Sequence, residues 1–509
     1  MGFLIRLTKN LSLTEDDRNG AMEITFWFFV AGVPLGLLFL TATLLEPKWF
    51  FFLFAGGLIA VGSLAVPNRK KYYLLFLALS VPVSIHLTPL FTPSSVNRST
   101  YGLLLLISHV PLAALFFIEL TGGRAGPSYS SSSSDTSKKS LVSLAGLFSA
   151  GVISVIMARS RLYGVFDLFA LVTSIALFFY VSRYIRNTRE IHLLVSGLIY
   201  TTLLQAIIAI GQYLTSSSLG LDFFGAQEIM QGYAGLASIS RSAGTMGHPN
   251  SLAIYFDLLL PLFLTYLFYL KKGGTRMFLA VAFMLCLFGL FVTMSRGGLF
   301  CTSVALALIL VLTWRKQVGI ARAILALSLV GGLCLVIIFS TSNPIRQRFL
   351  ENDYGNARGR ITLVEVATEV IRHNPFFGVG LNNFIDTAGQ YDRTPEQIVS
   401  LWNTPVHNLF LFIAGETGLV GLTFFALFLW SVLTTLRPAL SSPDPFLSRV
   451  GLGILIGFLA FFGHSQVDYC LWTHFIPFWF MAGLAVSTGR IAADLGAGGL
   501  VPAESRLRG

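Results

Sequence analysis

The chain has 509 residues, of which 54% are hydrophobic and 12% charged, with a formal net charge of +11. This balance excludes a soluble domain with a wet surface and fits a polytopic membrane protein. The positive excess needs no nucleic-acid partner, because topology and attraction to membrane lipids with anionic heads account for it.

Residues 1–24 carry mixed charge and no cleavable-signal pattern. They read as a cytoplasmic N-terminal segment, with the first span an uncleaved anchor. Apolar runs of roughly 17–25 residues can cross a bilayer. Candidates fall at about 25–44, 49–66, 72–90, 101–120, 141–158, 163–182, 191–214, 250–270, 277–294, 297–314, 320–340, 406–436, 448–466 and 469–489. The expected architecture is an all-α polytopic membrane protein with about 12–14 transmembrane helices. Residues 25–340 form a first set of spans with short loops and an outer segment at 215–249. A large, helical, periplasmic loop follows at 341–405, then C-terminal spans over 406–489 and a cytoplasmic tail over 490–509. The serine run at 128–134, after Gly122, Gly123 and Gly126, predicts a flexible cytoplasmic linker. The four cysteines form no CxxC or Cys/His cluster, so neither a disulfide frame nor a zinc site is expected.

With the N-terminus inside, basic clusters such as Arg69-Lys70-Lys71 and Arg183, Arg186 and Arg189 fall in inner loops. Short outer loops are poor in positive charge, as the positive-inside rule requires. The outer basic residues are arginine apart from Lys48. A topology signal does not distinguish the two cations, whereas the planar guanidinium fork suits phosphate and carboxylate oxygens. Snorkelling at helix ends accounts for Arg159 and Arg161.

The outer segment 215–249 ends in Arg241-Ser242-Ala243-Gly244-Thr245-Met246-Gly247-His248-Pro249-Asn250. Two readings stand: an ordinary polar turn with a Ser or Asn cap, or a binding wall facing Arg296. Asp257, inside the next span, is expected to hydrogen-bond between helices, as is Asp468, which His464 and His474 flank. Arg296 is the one charge between two spans, in the turn Ser295-Arg296-Gly297-Gly298. A charge at a membrane boundary is a functional candidate, and adjacent glycines let a ligand approach closely.

In the large loop, Ile361, Val364, Ala367, Val370 and Ile371 share a helical stripe and predict an amphipathic helix over 360–373. Pro375 stops it. Arg360 then opens the helix at its positive end, where a cation is disfavoured unless an anion binds there. Thr394-Pro395-Glu396-Gln397 predicts a short helix ending near Trp402. Thr404-Pro405 opens the next helix, with His407 and Asn408 in its first turn. A helix start keeps imidazole neutral, so His407 can take a proton from a sugar hydroxyl. The alternative is a structural histidine bonded to the loop. Gly415 and Gly418 predict close packing or a local break in that helix.

No Walker A sequence, outer Asp-x-Asp pair, Gly-x-Ser-x-Gly or zinc signature occurs. Any donor is therefore preactivated and arrives from outside or within the membrane, and neither metal nor cofactor is expected.

Four motifs fall in a characteristic order. They are Gly247-His248-Pro249-Asn250 followed by Leu252-Ala253; Ser295-Arg296-Gly297-Gly298; Asn374-Pro375 to Gly378-Val379-Gly380; and His407-Asn408 with Gly415-Glu416-Thr417-Gly418. This order resembles the O-antigen ligase and polymerase family, most clearly from about residue 240 to 425. The resemblance implies an inner-membrane glycosyltransferase of bacterial surface polysaccharide synthesis. Such an enzyme takes glycan from an undecaprenyl-diphosphate carrier on the periplasmic face and passes it to lipid A core or to another glycan, without metal or nucleotide. It also implies that Arg296 holds the diphosphate and His407 activates the acceptor hydroxyl. Arg241 and Arg360 occupy arginine positions of the family; His248, Asn250 and Asn408 complete the expected substrate-binding set. His248 stands where the ligase motif more often has asparagine, which resembles exopolysaccharide polymerase-like members. The reading from another class is a transporter or flippase of lipid-linked oligosaccharide. The lack of a repeat and the gathering of polar residues at one face argue against it.

Overall fold

The computed structural model describes residues 47–84, 86–94, 98–121, 131–221, 241–313, 356–395, 397, 399, 405–468 and 472–497. The spans expected at 25–44 and 320–340 lie outside these residues, as does most of the short helix expected near Trp402. The main helices in chain order are α1 (Pro47–Gly62), α2 (Arg69–Ser80), α3 (His109–Thr121), α4 (Ser131–Met157), α5 (Arg161–Tyr184) and α6 (Thr188–Thr215). There follow α7 (Pro249–Tyr269), α8 (Gly274–Val292), α9 (Arg296–Thr313), α10 (Asn356–His373), α11 (Phe384–Ala388), α12 (Leu409–Thr435), α13 (Arg437–Leu440), α14 (Pro445–His464) and α15 (Ile476–Ala497). Among the described residues, nine helices are long and apolar enough to cross a membrane. The chain is a multi-pass membrane protein.

A helix that is apolar on every side must be enclosed by others, and α7 is one such helix: 89% of its most apolar window is buried. It packs along α14, α9 and α8. Gly453 and Gly457, one turn apart on α14, make the closest approach. A Cβ on Gly457 would strike the Leu258 carbonyl, and one on Gly453 would strike Thr265 Oγ1. Small residues four apart let two backbones touch where lipid supplies no hydrophobic drive.

The expected spans at 72–90 and 101–120 are not continuous helices. α2 has 12 residues and α3 has 13, so each is about 20 Å long at 1.5 Å per residue, short of a hydrocarbon core about 30 Å thick. Pro82, Pro89 and Pro93 lack the backbone donor that a helix needs. The described residues between 81 and 108 instead form turns and bends around the two-residue antiparallel strands β1 (His86–Leu87) and β2 (Leu105–Leu106). The ends of α2 and α3 away from these strands are tied by Lys70–Glu119 at 2.9 Å and Arg186–Glu119 at 2.7 Å. Next to the strands the chain reaches the 241–250 segment, where Ser84 N–H donates to the Thr245 carbonyl at 3.2 Å. Likewise, the serine run is not all linker, because α4 starts at Ser131. Serine is only mildly unfavourable in a helix, and the apolar run that follows carries the helix through it.

α10 begins at Asn356, one turn before Arg360, so Arg360 does not open the helix. Its inward stripe is Leu363, Val366, Ala367 and Val370, while Ile361 is 64% and Val364 39% exposed. Both sets fit helical spacing, and packing chose between them. The next segment stitches into a break in α12. Gly418 adopts φ 70°, ψ −177° inside that helix. Across the break, Leu419 and Val420 N–H donate to the Pro375 and Phe376 carbonyls at 2.7 and 3.2 Å. In return, Val379 and Gly380 N–H donate to the Gly415 and Glu416 carbonyls at 2.9 and 3.0 Å. The helix groups freed by the break thus find backbone partners, as they must where water is excluded. The buried Glu416 carboxylate accepts from Asn382 N–H at 2.8 Å and from Trp472 Nε1 at 3.2 Å. Arg98 pins the same loop, donating to the Asn382 carbonyl at 2.8 Å and pairing with Asp386 at 2.5 Å.

Gly418→Ala is expected to lower the melting temperature of the purified chain in detergent. A Cβ there would be driven into the Phe376 carbonyl, and the backbone strain alone costs about 1–3 kcal/mol. Melting like the wild type would show that the break tolerates a side chain.

Candidate functional site

The segment 241–248 crosses the ends of α6 and α8 before entering α7, and its backbone groups need partners inside the bundle. Two buried glutamines on one face of α6, two turns apart, supply them. Gln212 pairs with both backbone groups of Gly244, at 2.8 and 3.0 Å. Gln205 pairs with Thr245 N–H at 3.0 Å and Thr245 Oγ1 at 2.6 Å. Gly244 and Gly247 take φ of 58° and 77°, which only glycine adopts freely. The chain therefore turns tightly and delivers His248 to the start of α7.

His248 is the N-cap of α7, and its Nδ1 accepts from Asn250 N–H at 3.1 Å. Asn250 joins two charged groups. Its Oδ1 accepts from Arg241 Nη2 at 2.6 Å, and its Nδ2 donates to Asp468 Oδ2. Arg241 is held on a second side, where Nε donates to the Thr293 carbonyl at 3.0 Å. Three residues on, Arg296 is the half-buried first residue of α9. The two arginines thus belong to one corner, at the meeting of α7, α8 and α9.

His407 lies just before α12, not in its first turn, because Asn408 is the N-cap and its Oδ1 accepts from Leu411 N–H at 3.1 Å. The Asn408 amide nitrogen turns to Gln466, at 3.1 Å from Oε1. Leu409 N–H donates to the Ser465 carbonyl at 2.9 Å. The turn after α14 therefore fastens the approach to α12 while presenting Asp468 to Asn250.

Electrostatics tie the histidines to this corner. Burial lowers the His407 pKa from its ordinary value; Arg360 lowers it further, while Asp468 and a hydrogen bond to the Pro405 backbone raise it. Burial pushes His248 down to about 4, with Asp468 pulling it up and Arg241 and His407 pushing it down. Both imidazoles are therefore neutral near pH 7. For His407 this comes chiefly from burial, not from a position inside the helix.

The structure thus joins Arg241, His248 and Asn250 by direct bonds. It brings His407 within the fields of Asp468 and Arg360, and places Arg296 beside the Arg241 anchor. Asn408 spends its side chain on the cap and on Gln466. The sequence reading left Asp468 outside the site set, although an acid near the end of a span was a usable signal. The glutamine pair on α6 was missed; its spacing of seven residues was the available clue.

Residues 279–426 match the family model described as O-antigen ligase. The match runs from α8 through Arg296, Arg360 and His407 and ends in α12 beyond Gly418. Over this stretch the chain is similar to that family, and the resemblance is borne out for the motifs at 295–298, 374–380 and 407–418, while the 247–253 motif lies outside the match. The match indicates ligase- or polymerase-type function, with a lipid-linked glycan donor and an acceptor at the membrane. No curated protein matches the chain.

His248 has a folded pKa of about 4 against an ordinary 6.5. The unfolded chain therefore takes up the proton first. Stability is full above pH 6.5 and falls as the pH drops toward 4, by on the order of 3 kcal/mol in total. In His248→Asn, which keeps a capping side chain, the melting temperature should fall less between pH 7 and pH 4.5 than in the wild type. Parallel pH profiles for the two proteins would show that His248 does not control this slope.

Proposed function

We propose that this protein is an inner-membrane glycosyltransferase that moves or polymerises glycan from an undecaprenyl-diphosphate carrier on the periplasmic face. The observation that carries the proposal is the gathering of Arg241, Arg296 and Arg360 with a neutral His407 at one end of the bundle. The opposite end holds Arg69, Lys70, Lys71, Arg183, Arg186, Lys271, Lys272 and Arg490. By the positive-inside rule that end faces the cytoplasm, so the site opens to the periplasm.

In the reaction, the acceptor hydroxyl oxygen bonds to the anomeric carbon as the bond from that carbon to the carrier diphosphate oxygen breaks. The hydroxyl proton passes to His407. Asp468 favours the resulting imidazolium, as its upward pull on the His407 pKa indicates. Negative charge develops on the leaving diphosphate. Guanidinium groups fixed in a site shielded from water stabilise that charge more than water does, and the planar fork matches phosphate oxygens. Anchored by Asn250 and the Thr293 carbonyl, Arg241 needs little reorganisation when the charge forms. His248 and Asn250 shape the wall, and Asn408 holds His407 at the start of α12. The acceptor is another lipid-linked glycan or a lipid A core sugar.

Arg296→Ala and His407→Ala should each lower transfer by roughly 10²–10³-fold while the protein still inserts and melts normally. The assay is mass analysis of products from the purified chain, supplied with a lipid-linked repeat with and without lipid A core. Normal transfer by either variant would overturn the assignment. Translocation in liposomes without a new glycosidic bond would identify a transporter instead.

The acid limb of the kcat/KM profile should follow His407. Because its pKa is lowered from 6.5, transfer should persist below pH 6.5. Arg360→Gln removes a lowering influence and should move the limb to higher pH. Asp468→Asn removes a raising influence and should move it to lower pH. A limb that ignores both changes would exclude His407 as the base.

A further inference from the structure

Beneath the Arg296 turn lies a line of buried polar groups that the proposed reaction does not use. Thr302 Oγ1 donates to Asp257 Oδ1 at 2.5 Å. His464 Nδ1 lies 2.6 Å from Asp257 Oδ2. On the far side of the ring, His464 Nε2 lies 3.4 Å from Ser295 Oγ, which accepts Gly298 N–H at 3.3 Å. All four side chains are buried. One assignment gives every donor an acceptor. The Nδ1 proton goes to Asp257, Ser295 O–H donates to Nε2, and Ser295 Oγ caps the first turn of α9 through Gly298. The carboxylate thereby selects the imidazole tautomer that can accept from the serine.

The glycines complete the fit. A Cβ on Gly297 would lie 2.7 Å from both Cδ2 and Nε2 of His464. A Cβ on Gly298 would lie 2.8 Å from the Ala253 Cβ and 3.4 Å from the histidine Cε1. The turn bearing Arg296 therefore rests against the Cδ2–Nε2–Cε1 edge of the imidazole. The two glycines are required by this contact as well as by any ligand. Just beyond His464, the same chain supplies the Ser465 carbonyl that fastens α12 and the Asp468 carboxylate that fastens Asn250.

We propose that Asp257 and His464 form a positioning pair which, through Ser295, holds the backbone of Arg296 in register with His407 and Arg241. Neither residue touches substrate. Their effect on transfer runs through the placement of one guanidinium. This rests on the proposed function for its kinetic consequence, but the clamp itself is a property of the fold.

The test uses the purified full-length chain in nanodiscs with three variants, the single changes also being made in an Arg296→Ala background. Ser295→Ala removes the hydroxyl alone. Asp257→Asn keeps the shape but lets an amide donate to Nδ1, which turns the ring proton to Nε2. The third variant carries both changes. Two readouts are taken: glycan transfer from a lipid-linked repeat, and the rate at which phenylglyoxal modifies Arg296, followed by peptide mass mapping. Each single variant should lower kcat between roughly threefold and tenfold, the range of one lost hydrogen bond, with melting close to wild type. The double variant should be no slower than Asp257→Asn, because both changes act through one chain of contacts. Adding either change to Arg296→Ala should cost nothing more. Arg296 labelling should change in both single variants. Unchanged Arg296 labelling, or losses that add to that of Arg296→Ala in step with falling melting temperature, would overturn the positioning role. If the wild type transfers no glycan from any donor, the proposed function fails, while the labelling rates still decide whether the clamp exists.

Discussion

A polar group inside a membrane bundle has no water to fall back on, so it must find its partner within the protein. The structure around the site follows from that constraint. Breaking α12 at Gly418 frees backbone groups, and the 375–380 segment supplies partners from its own backbone. This fastens α10, and with it Arg360, to the helix that follows His407. The 241–248 segment obeys the same rule through Gln205 and Gln212. Irregular backbone at this end of the bundle is thus held in place by hydrogen bonds, and the charged side chains inherit its fixed geometry.

The turn after α14 unites the parts. Within five residues it offers His464 to Ser295, the Ser465 carbonyl to Leu409, Gln466 to Asn408, and Asp468 to Asn250. Contacts from one short turn to the starts of α7, α9 and α12 make relative movement of these starts costly. The charges at the corner are mixed. Arg241 is balanced through an amide by Asp468, and the two histidines stay neutral because burial outweighs the carboxylate nearby. On the proposed function, a site of this kind would offer cations to a diphosphate and an uncharged base to a hydroxyl, two demands that bare clustering of arginine would set against each other.

Much of the architecture was legible in the hydropathy pattern. Long apolar runs appear as helices near where they were expected, in α4 to α9 and again in α12 and α14, while α15 runs later than the expected 469–489, over Ile476–Ala497. The end of α10 before Pro375 and the interruption near Gly415 and Gly418 were readable from residue chemistry. The expectation failed where local signals were ambiguous. Hydropathy alone cannot distinguish a span from a short helix that leads into an extended segment, so 72–90 and 101–120 were read as continuous. Ile361 and Val364 fit a helical stripe as well as Leu363 and Val366 do, and the neighbouring elements selected the second set.

The sequence by itself determined that this is a helical membrane protein, where most of its spans run, and that arginines, His407 and Gly-rich turns fall next to the ends of its apolar runs. Periodicity, charge sign and backbone preference are local properties, which a chain displays before it folds. Only the tertiary structure decided that Asn250 joins Arg241 to Asp468, that His407 precedes its helix, and that His464 lies under Gly297 with Asp257 behind it. Those pairings link residues up to 218 positions apart. They depend on which helix faces meet, and no spacing along the chain encodes that.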